Sequence, residues 1–338
     1  MTEPEQDSPD KVPVCLSDVG VVVIGRNEGA RLIACLKSVS AATAQIIYVD
    51  SGSTDGSADA AERLRARVVQ LDLSRPFTAA RARNEGLAAL KTAAPDVRYV
   101  QFIDGDCELV EGWLAAARTF LLQHEAVAVV CGRRRERHPE ASVYNRLCDV
   151  EWDTPIGEAS ACGGDAMFRT EAFESVGGFA AQLIAGEEPE LCLRLRESGW
   201  KIWRLDAEMT RHDAAMTRFR QWWTRAVRSG YGMTEVYLFH RSSRFAVWRR
   251  EIARAIFWGG ALPLAIIVGA VIYPPSSLAL LIYPLQLARI AVTHASTLPN
   301  PWIYGVFMVM VKFAELQGIL KFCLRHWSAR PSKLIEYK

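Results

Sequence analysis

The sequence predicts an α/β protein: a mainly parallel central sheet, followed by a C-terminal helical hairpin in a membrane. Three observations carry that expectation. Short apolar runs recur, each ending in a polar loop that opens a helix, as strands buried on both faces do. One of them stops at Asp104-Gly105-Asp106, and open α/β sheets bind their ligands at the C-terminal edge of the strands. No charged residue occurs between Ala255 and Ala288, a stretch far longer than a soluble core helix needs.

At 338 residues and a net charge of +2, the chain can bury a sizeable core and carries no global nucleic-acid footprint. Eight cysteines lie scattered, without Cys-x-x-Cys or zinc-finger spacing, which reads as free thiols in a reducing compartment. Met1 to Pro13 is acidic and polar, unlike the basic and apolar regions of a signal peptide. The expected division is a disordered start over 1–17, a soluble domain over 18–240 and a basic juxtamembrane linker over 241–254. A transmembrane hairpin over 255–295 and an interfacial helix with a basic tail over 298–338 complete it.

Val19 to Ile24 reads as a buried strand ending at Gly25-Arg26-Asn27-Glu28-Gly29, and Leu32, Ile33, Leu36 and Val39 give the following helix its apolar face. Ile46 to Val49 is the next strand, and Asp50-Ser51-Gly52-Ser53-Thr54-Asp55-Gly56-Ser57 leads into another helix. That loop has neither Gly-x-Gly-x-x-Gly nor Gly-Lys-Ser/Thr, so neither a dinucleotide fingerprint nor a P-loop is present. Val68 and Val69 form a short third strand, and Arg81-Ala-Arg-Asn-Glu-Gly86 opens a helix whose arginines could face a diphosphate. The run Tyr99 to Ile103 then delivers Asp104 and Asp106, followed by a helix from Trp113 to Leu122 and a strand from Val127 to Val130. Two carboxylates flanking one glycine can converge on a hard divalent cation that leaves positions open for phosphate oxygens. Asp-Gly by itself is also an ordinary turn.

Six segments in this order resemble the family 2 glycosyltransferases. They are Val-Val-Ile-Gly-Arg-Asn-Glu-Gly, Val-Asp-Ser-Gly-Ser-Thr-Asp-Gly-Ser, Ala-Arg-Asn-Glu-Gly, Asp-Gly-Asp, Gly-Gly-Asp-Ala-Met-Phe-Arg and Gly-Glu-Glu-Pro-Glu-Leu-Cys-Leu-Arg-Leu, between about Val19 and His212. The resemblance implies the GT-A fold, a nucleotide-sugar donor, a divalent cation (Mn2+ or Mg2+) and an inverting transfer. It implies donor contacts at Asn27, Glu28, Asp50, Arg81, Asn84 and Asp104, with Asp104 and Asp106 at the metal. Many members have Asp-Asp where this chain has Asp50-Ser51, which leaves the base contact open.

Gly164 and Asp165 resemble the acceptor-side segment of the family. Pro189 suits a first helical turn and Leu191, Cys192 and Leu195 supply its apolar face, so Glu188 falls at or beside the helix start. In the family this position serves as general base, which makes Glu188 the expected base and Glu187 the second choice. His212, after a strand expected from Ile202 to Leu205, is either a third metal ligand or a loop histidine. Arg225 and Arg228 follow Trp222 and Trp223 in a basic, aromatic helix, placed to clamp phosphates near lipid headgroups. The pattern differs from the Gln-x-x-Arg-Trp of processive synthases.

Ala255 to Tyr273 is long enough to cross a hydrocarbon core of about 30 Å. Tyr273-Pro-Pro-Ser-Ser277 breaks the apolar stretch, Ser276 to Val292 makes a second, weaker span, and Trp302 to Val311 reads as interfacial. The sequence thus describes a multi-pass inner-membrane enzyme with its catalytic domain in the cytoplasm, using a nucleotide sugar and a lipid-linked acceptor for cell-surface or exopolysaccharide synthesis. The alternatives are transfer to polyprenyl phosphate itself, or a noncatalytic nucleotide-sugar-binding scaffold.

Overall fold

The computed structural model describes residues 16–328, apart from Pro76 and Ala246. Most of the start expected to be disordered and the basic tail beyond Ser328 lie outside the described residues; Leu16 is already buried in the core.

The N-terminal half runs β1 (Val19–Gly25), α1 (Ala30–Ser40), β2 (Ile46–Asp50), α2 (Ser57–Arg63), β3 (Arg67–Gln70), α3 (Ala79–Ala93) and β4 (Tyr99–Asp104). The strands pair in parallel, with β1 between β2 and β4. Their apolar runs are continuous because helices cover both faces. Gly86 shows how closely: a Cβ there would stand 2.3 Å from Val22 Cγ1, so α3 can lie on β1 only with glycine at that turn. Gly25 pairs with Asp50 and Ile24 with Asp104, which brings the polar loops after β1, β2 and β4 to one edge.

The second half continues with β5 (Cys107–Leu109), α4 (Trp113–Gln123), β6 (Val127–Glu136), α5 (Val143–Glu151), β7 (Gly157–Ala159), β8 (Ala166–Arg169), α6 (Thr170–Ser175), α7 (Glu187–Glu197), β9 (Lys201–His212) and α8 (Phe219–Phe239). The nine strands form one mixed, mostly parallel sheet in the order β3-β2-β1-β4-β8-β6-β9-β5, with β7 on the side of β9. Strand β8 runs antiparallel between β4 and β6. Two strands outrun the apolar segments that signal them. β6 reaches Glu136 and β9 reaches His212 because their pairing persists where Arg133 and Arg135 point outward to Asp149 and Arg134 points inward. Hydrophobicity marks only the part of a strand that is buried on both faces.

The C-terminal region corrects one expectation. Helix α9 (Arg249–Ile256) passes through a π turn at Phe257–Ala261 into α10 (Leu262–Ile272), so the basic linker is partly helical. A 3-10 segment, Pro274–Leu281, leads into α11 (Ile282–Thr293), and α12 (Pro301–Trp327) is one unbroken helix. Three segments, Arg249–Ile272, Pro274–Thr293 and Pro301–Trp327, are long and apolar enough to cross a membrane. The third was expected to be short because Lys312 and Glu315 interrupt its apolar run. In the folded chain they bond each other at 2.7 Å, one helical turn apart, and the helix continues through them.

Helix α12 also packs along α8. Phe307 meets Trp222, Ala314 is fully buried beside Ala226 and Val227, Gln317 accepts from the Trp223 indole, and Phe322 stacks edge-on against Tyr231. Glycines allow the contact: a Cβ on Gly318 would stand 2.1 Å from the Val227 carbonyl oxygen, and one on Gly230 equally close to that of Glu315. Gly318→Ala should therefore lower the thermal unfolding midpoint of the detergent-solubilised protein. Alanine favours an isolated helix by about 0.8–1.0 kcal/mol, but overpacking against backbone typically costs about 1–3 kcal/mol. An unchanged or raised midpoint would show that the two helices part freely.

Candidate active site

At the end of β4 the chain turns at Gly105, whose amide donates to the Ile24 carbonyl at 2.8 Å, and re-enters the sheet as β5. β5 pairs antiparallel with the end of β9, Cys107 opposite His212. This register, rather than nearness in sequence, sets His212 Nε2 3.3 Å from Asp106 Oδ2. Both side chains are buried. Burial, reinforced by the Arg134 charge, pushes the imidazole down to about 4, so the ring is neutral near pH 7. A neutral imidazole has one nitrogen free to accept, so His212 beside Asp106 has the chemistry of a cation ligand. Cys107 Sγ belongs to the same cluster, and burial pushes its thiol well up. The oxygen and nitrogen donors of Asp106 and His212 are of the kind that hold a divalent cation. His212, read from sequence as either a third metal ligand or a loop histidine, is a strand residue that lines the cleft.

Asp104 is fixed from behind. Buried Arg83 donates to its Oδ1 at 2.8 Å and to Glu187 Oε1 at 2.9 Å. Burial opposes the Arg83 charge, but these carboxylates more than offset it and raise its pKa. Asp165 accepts from the Asp104 amide and the Thr210 hydroxyl and forms an ion pair with Arg134 at 2.7 Å. Its side chain has no exposure, so it braces the site from within instead of meeting an acceptor. Gly164 passes directly over the same groups: its Cβ would lie 3.1 Å from an Arg83 nitrogen and 3.5 Å from Asp104 Oδ2.

The two glutamates occupy the first turn of α7 after Gly186, which has a left-handed backbone with φ 80°. Glu187 is engaged by Arg83. Glu188 is buried, and its Oε1 accepts from the Cys162 amide at 2.5 Å and the Cys192 thiol at 3.0 Å.

On the β1–β2 side of the cleft, Asn27 joins the loops after β1 and β2, taking the Thr54 amide on Oδ1 at 2.7 Å and donating its own amide to Ser53. Glu28 pairs with Arg31. Asp50 is buried inside its own loop, accepting from the Tyr48 hydroxyl and the Gly52 and Ser53 amides, while Ser51 lines the cleft in its place. Arg81 is turned away as well, bonded to Glu85 and to the carbonyls of Asp72 and Arg75; Arg83 is the arginine of that motif that reaches the aspartates. Asn84 brackets Phe179 through both its amide and its carbonyl.

A cleft of about 630 Å³ opens over Asp104, Gly105 and Asp106. Arg26, Arg31, Arg134, Arg225 and Arg228 line it alongside Glu28, and Phe77, Cys148, Trp152 and Met216 form an apolar part. Arg225 is held by a two-pronged pair to Glu151, and Arg228 donates to the Ile184 carbonyl. Asn27, Glu28, Asp104, Asp106, His212, Arg225 and Arg228 are thus gathered in one cavity, whereas Asp50, Arg81 and Asn84 support its walls. Sequence reasoning missed Arg134, and of the two arginines in Arg81-Ala-Arg it singled out Arg81 where Arg83 meets Asp104. The alternation in Arg133-Arg134-Arg135 would point the middle residue inward if the strand were read past Val130.

Residues 20–177 match the family described as Glycosyl transferase family 2, and residues 103–293 match Glycosyl transferase family group 2. The chain belongs to the family 2 glycosyltransferases. The succinoglycan biosynthesis protein ExoA of Rhizobium meliloti is 27% identical over 199 residues, 55% of this chain and 60% of that protein. The O-antigen chain rhamnosyltransferase WbaN of Salmonella anatum is 25% identical over 171 residues, 47% of this chain and 53% of its own. The chain therefore spans less than two thirds of either relative. Among solved structures, the mannosyltransferase PcManGT of Pyrobaculum calidifontis, in complex with GDP-Man and Mn2+, superposes with a TM-score of 0.58 at 18% identity. The match covers 94% of this chain and 90% of that one. At that identity the likeness is one of fold, which is GT-A-like with attached apolar helices.

Proposed function

We propose that this glycosyltransferase moves a sugar, with inversion, from a nucleotide-sugar donor to a lipid-linked acceptor in the synthesis of a surface polysaccharide. The convergence of Asp104, Asp106 and His212 at the end of β4, beneath an arginine-lined cleft, carries the reading. ExoA and WbaN, by their names, build succinoglycan and O-antigen, which supports an acceptor of that class. A divalent cation held by these residues would neutralise charge on the leaving diphosphate. Asn27, Glu28 and Ser51 face the nucleoside end, and Arg225 and Arg228 offer charge to phosphate oxygens. Glu188 takes the proton of the acceptor hydroxyl on the opposite face of the anomeric carbon. The test is turnover of a panel of nucleotide sugars by the purified protein with Mn2+ or Mg2+. Failure of every donor under both cations would overturn the reading.

In the membrane, the segments around α10 and α11 form a hairpin and α12 lies at the cytoplasmic interface. Packing of Phe307 to Phe322 on α8 of the catalytic domain supports this, with Leu320, Leu324 and Trp327 exposed on the other side. Arg249, Arg250 and Arg254 precede the hairpin, and no charge lies in the Tyr273 to Ser277 turn, which favours both flanks inside. Single cysteines at the exposed positions Ser277 and Ser328, in a background without native cysteines, provide the measurement. An impermeant reagent on intact cells should label position 277 alone. Labelling at 328 would make α12 a third crossing.

A further inference from the structure

Behind the catalytic edge lies a sulfur-rich cluster whose two thiols the sugar-transfer reading does not use and whose carboxylate, Glu188, it takes as the base. Cys162, in the loop before Gly163-Gly164-Asp165, faces Cys192, one turn beyond Glu188 on α7, with the sulfurs 3.6 Å apart. Glu188 Oε1 stands 3.0 Å from Cys192 Sγ, and the three ligand atoms lie within 4.8 Å of one another. All three residues are buried, Cys192 completely, while Cys162 keeps 8% and Glu188 6% of its surface open to solvent. Cys131 on β6 is a third buried thiol close enough to be pushed up by the charges of Glu188 and Cys192, after burial itself.

The spacing is informative. A disulfide needs its sulfurs at about 2.05 Å, well inside the observed separation. Two thiolates bound to one tetrahedral zinc ion at about 2.3 Å each stand about 3.8 Å apart, close to the distance found here. A carboxylate oxygen at about 2.0–2.2 Å from the ion completes a third position, and small side-chain rotations bring Glu188 there. We propose that Cys162, Cys192 and Glu188 form a second, thiolate-rich metal site that takes a soft or borderline divalent ion such as Zn2+. It differs in chemistry from the oxygen and nitrogen donors at Asp106, so the two sites select different ions.

Binding requires both thiols to lose their protons. Affinity should therefore rise steeply with pH, as two protons are released for each ion taken up. Zinc at this site would also occupy Glu188 Oε1. If Glu188 is the base, an inference that rests on the proposed function, bound zinc slows transfer without displacing the donor.

Titration of the full-length purified protein with Co2+ alone tests the site without any assay of activity. Sulfur-to-cobalt charge-transfer absorption should saturate at one equivalent and be removed by Zn2+. It should vanish in Cys162→Ser and in Cys192→Ser, and persist in Cys148→Ser, whose thiol lies in a separate cluster. Cobalt at Asp106 and His212 could draw such a band only through Cys107, which both variants retain, so absence of the band from the unmodified protein overturns the proposal, as does its survival in both variants. Should a variant fold poorly, Cys162→Ala and Cys192→Ala, compared by near-ultraviolet circular dichroism, take its place. The band together with undiminished turnover in Zn2+ would uphold the site and overturn the role of Glu188 as base.

Discussion

Asp106→Asn should reduce sugar transfer by at least about 10³-fold and make nucleotide binding insensitive to Mn2+ or Mg2+. The carboxylate is the one of the two in Asp104-Gly105-Asp106 that faces His212. Asparagine keeps its size and one carbonyl oxygen but removes the charge that would hold a divalent ion against a diphosphate. A metal's stabilisation of a transferring group is worth several kcal/mol, and about 1.4 kcal/mol is a factor of ten in rate. The side chain is buried, so unfolding must be excluded by showing an unchanged thermal midpoint without added metal. Full transfer by the unmodified protein in excess chelator would remove the basis for the expectation, as would an Asp106→Asn variant whose activity still rises with Mn2+.

The parallel half of the fold was legible because its strands are buried on both faces and leave unbroken apolar runs, and every loop that ends one carries glycines or short polar residues. The site was legible where it is local: Asp104 and Asp106 follow directly from the strand they terminate. It was not legible where it depends on pairing between distant segments. His212 reaches Asp106 only because β9 runs several residues beyond its apolar part and pairs with β5. Arg83 could not be separated from Arg81 without knowing which side of α3 faces β4. Asp50 illustrates the converse, a carboxylate at a strand tip that turns back onto its own loop. In the C-terminal region an apolar run gives a helix's existence but not its end, since a Lys312–Glu315 pair that looks like an interruption in sequence is satisfied within one turn.

Glu188→Gln is expected to retain donor affinity while lowering turnover by about 10² to 10⁴-fold, the usual contribution of a general base. Two glutamates are adjacent, and their partners distinguish them. Glu187 Oε1 is engaged by Arg83, which also holds Asp104, so that carboxylate is tied into the support of the aspartates. Its replacement by glutamine should disturb donor binding and turnover together. Glu188 accepts only uncharged donors, the Cys162 amide and the Cys192 thiol, both on Oε1, and among the described residues none is bonded to Oε2. That oxygen can therefore receive a proton without breaking an ion pair, and glutamine, which keeps the Oε1 bonds but cannot accept a proton, isolates the chemical step. Steady-state kinetics with nucleotide affinity measured separately decide the matter. A Glu188→Gln enzyme with full turnover beside an inactive Glu187→Gln enzyme would move the base one residue towards Arg83.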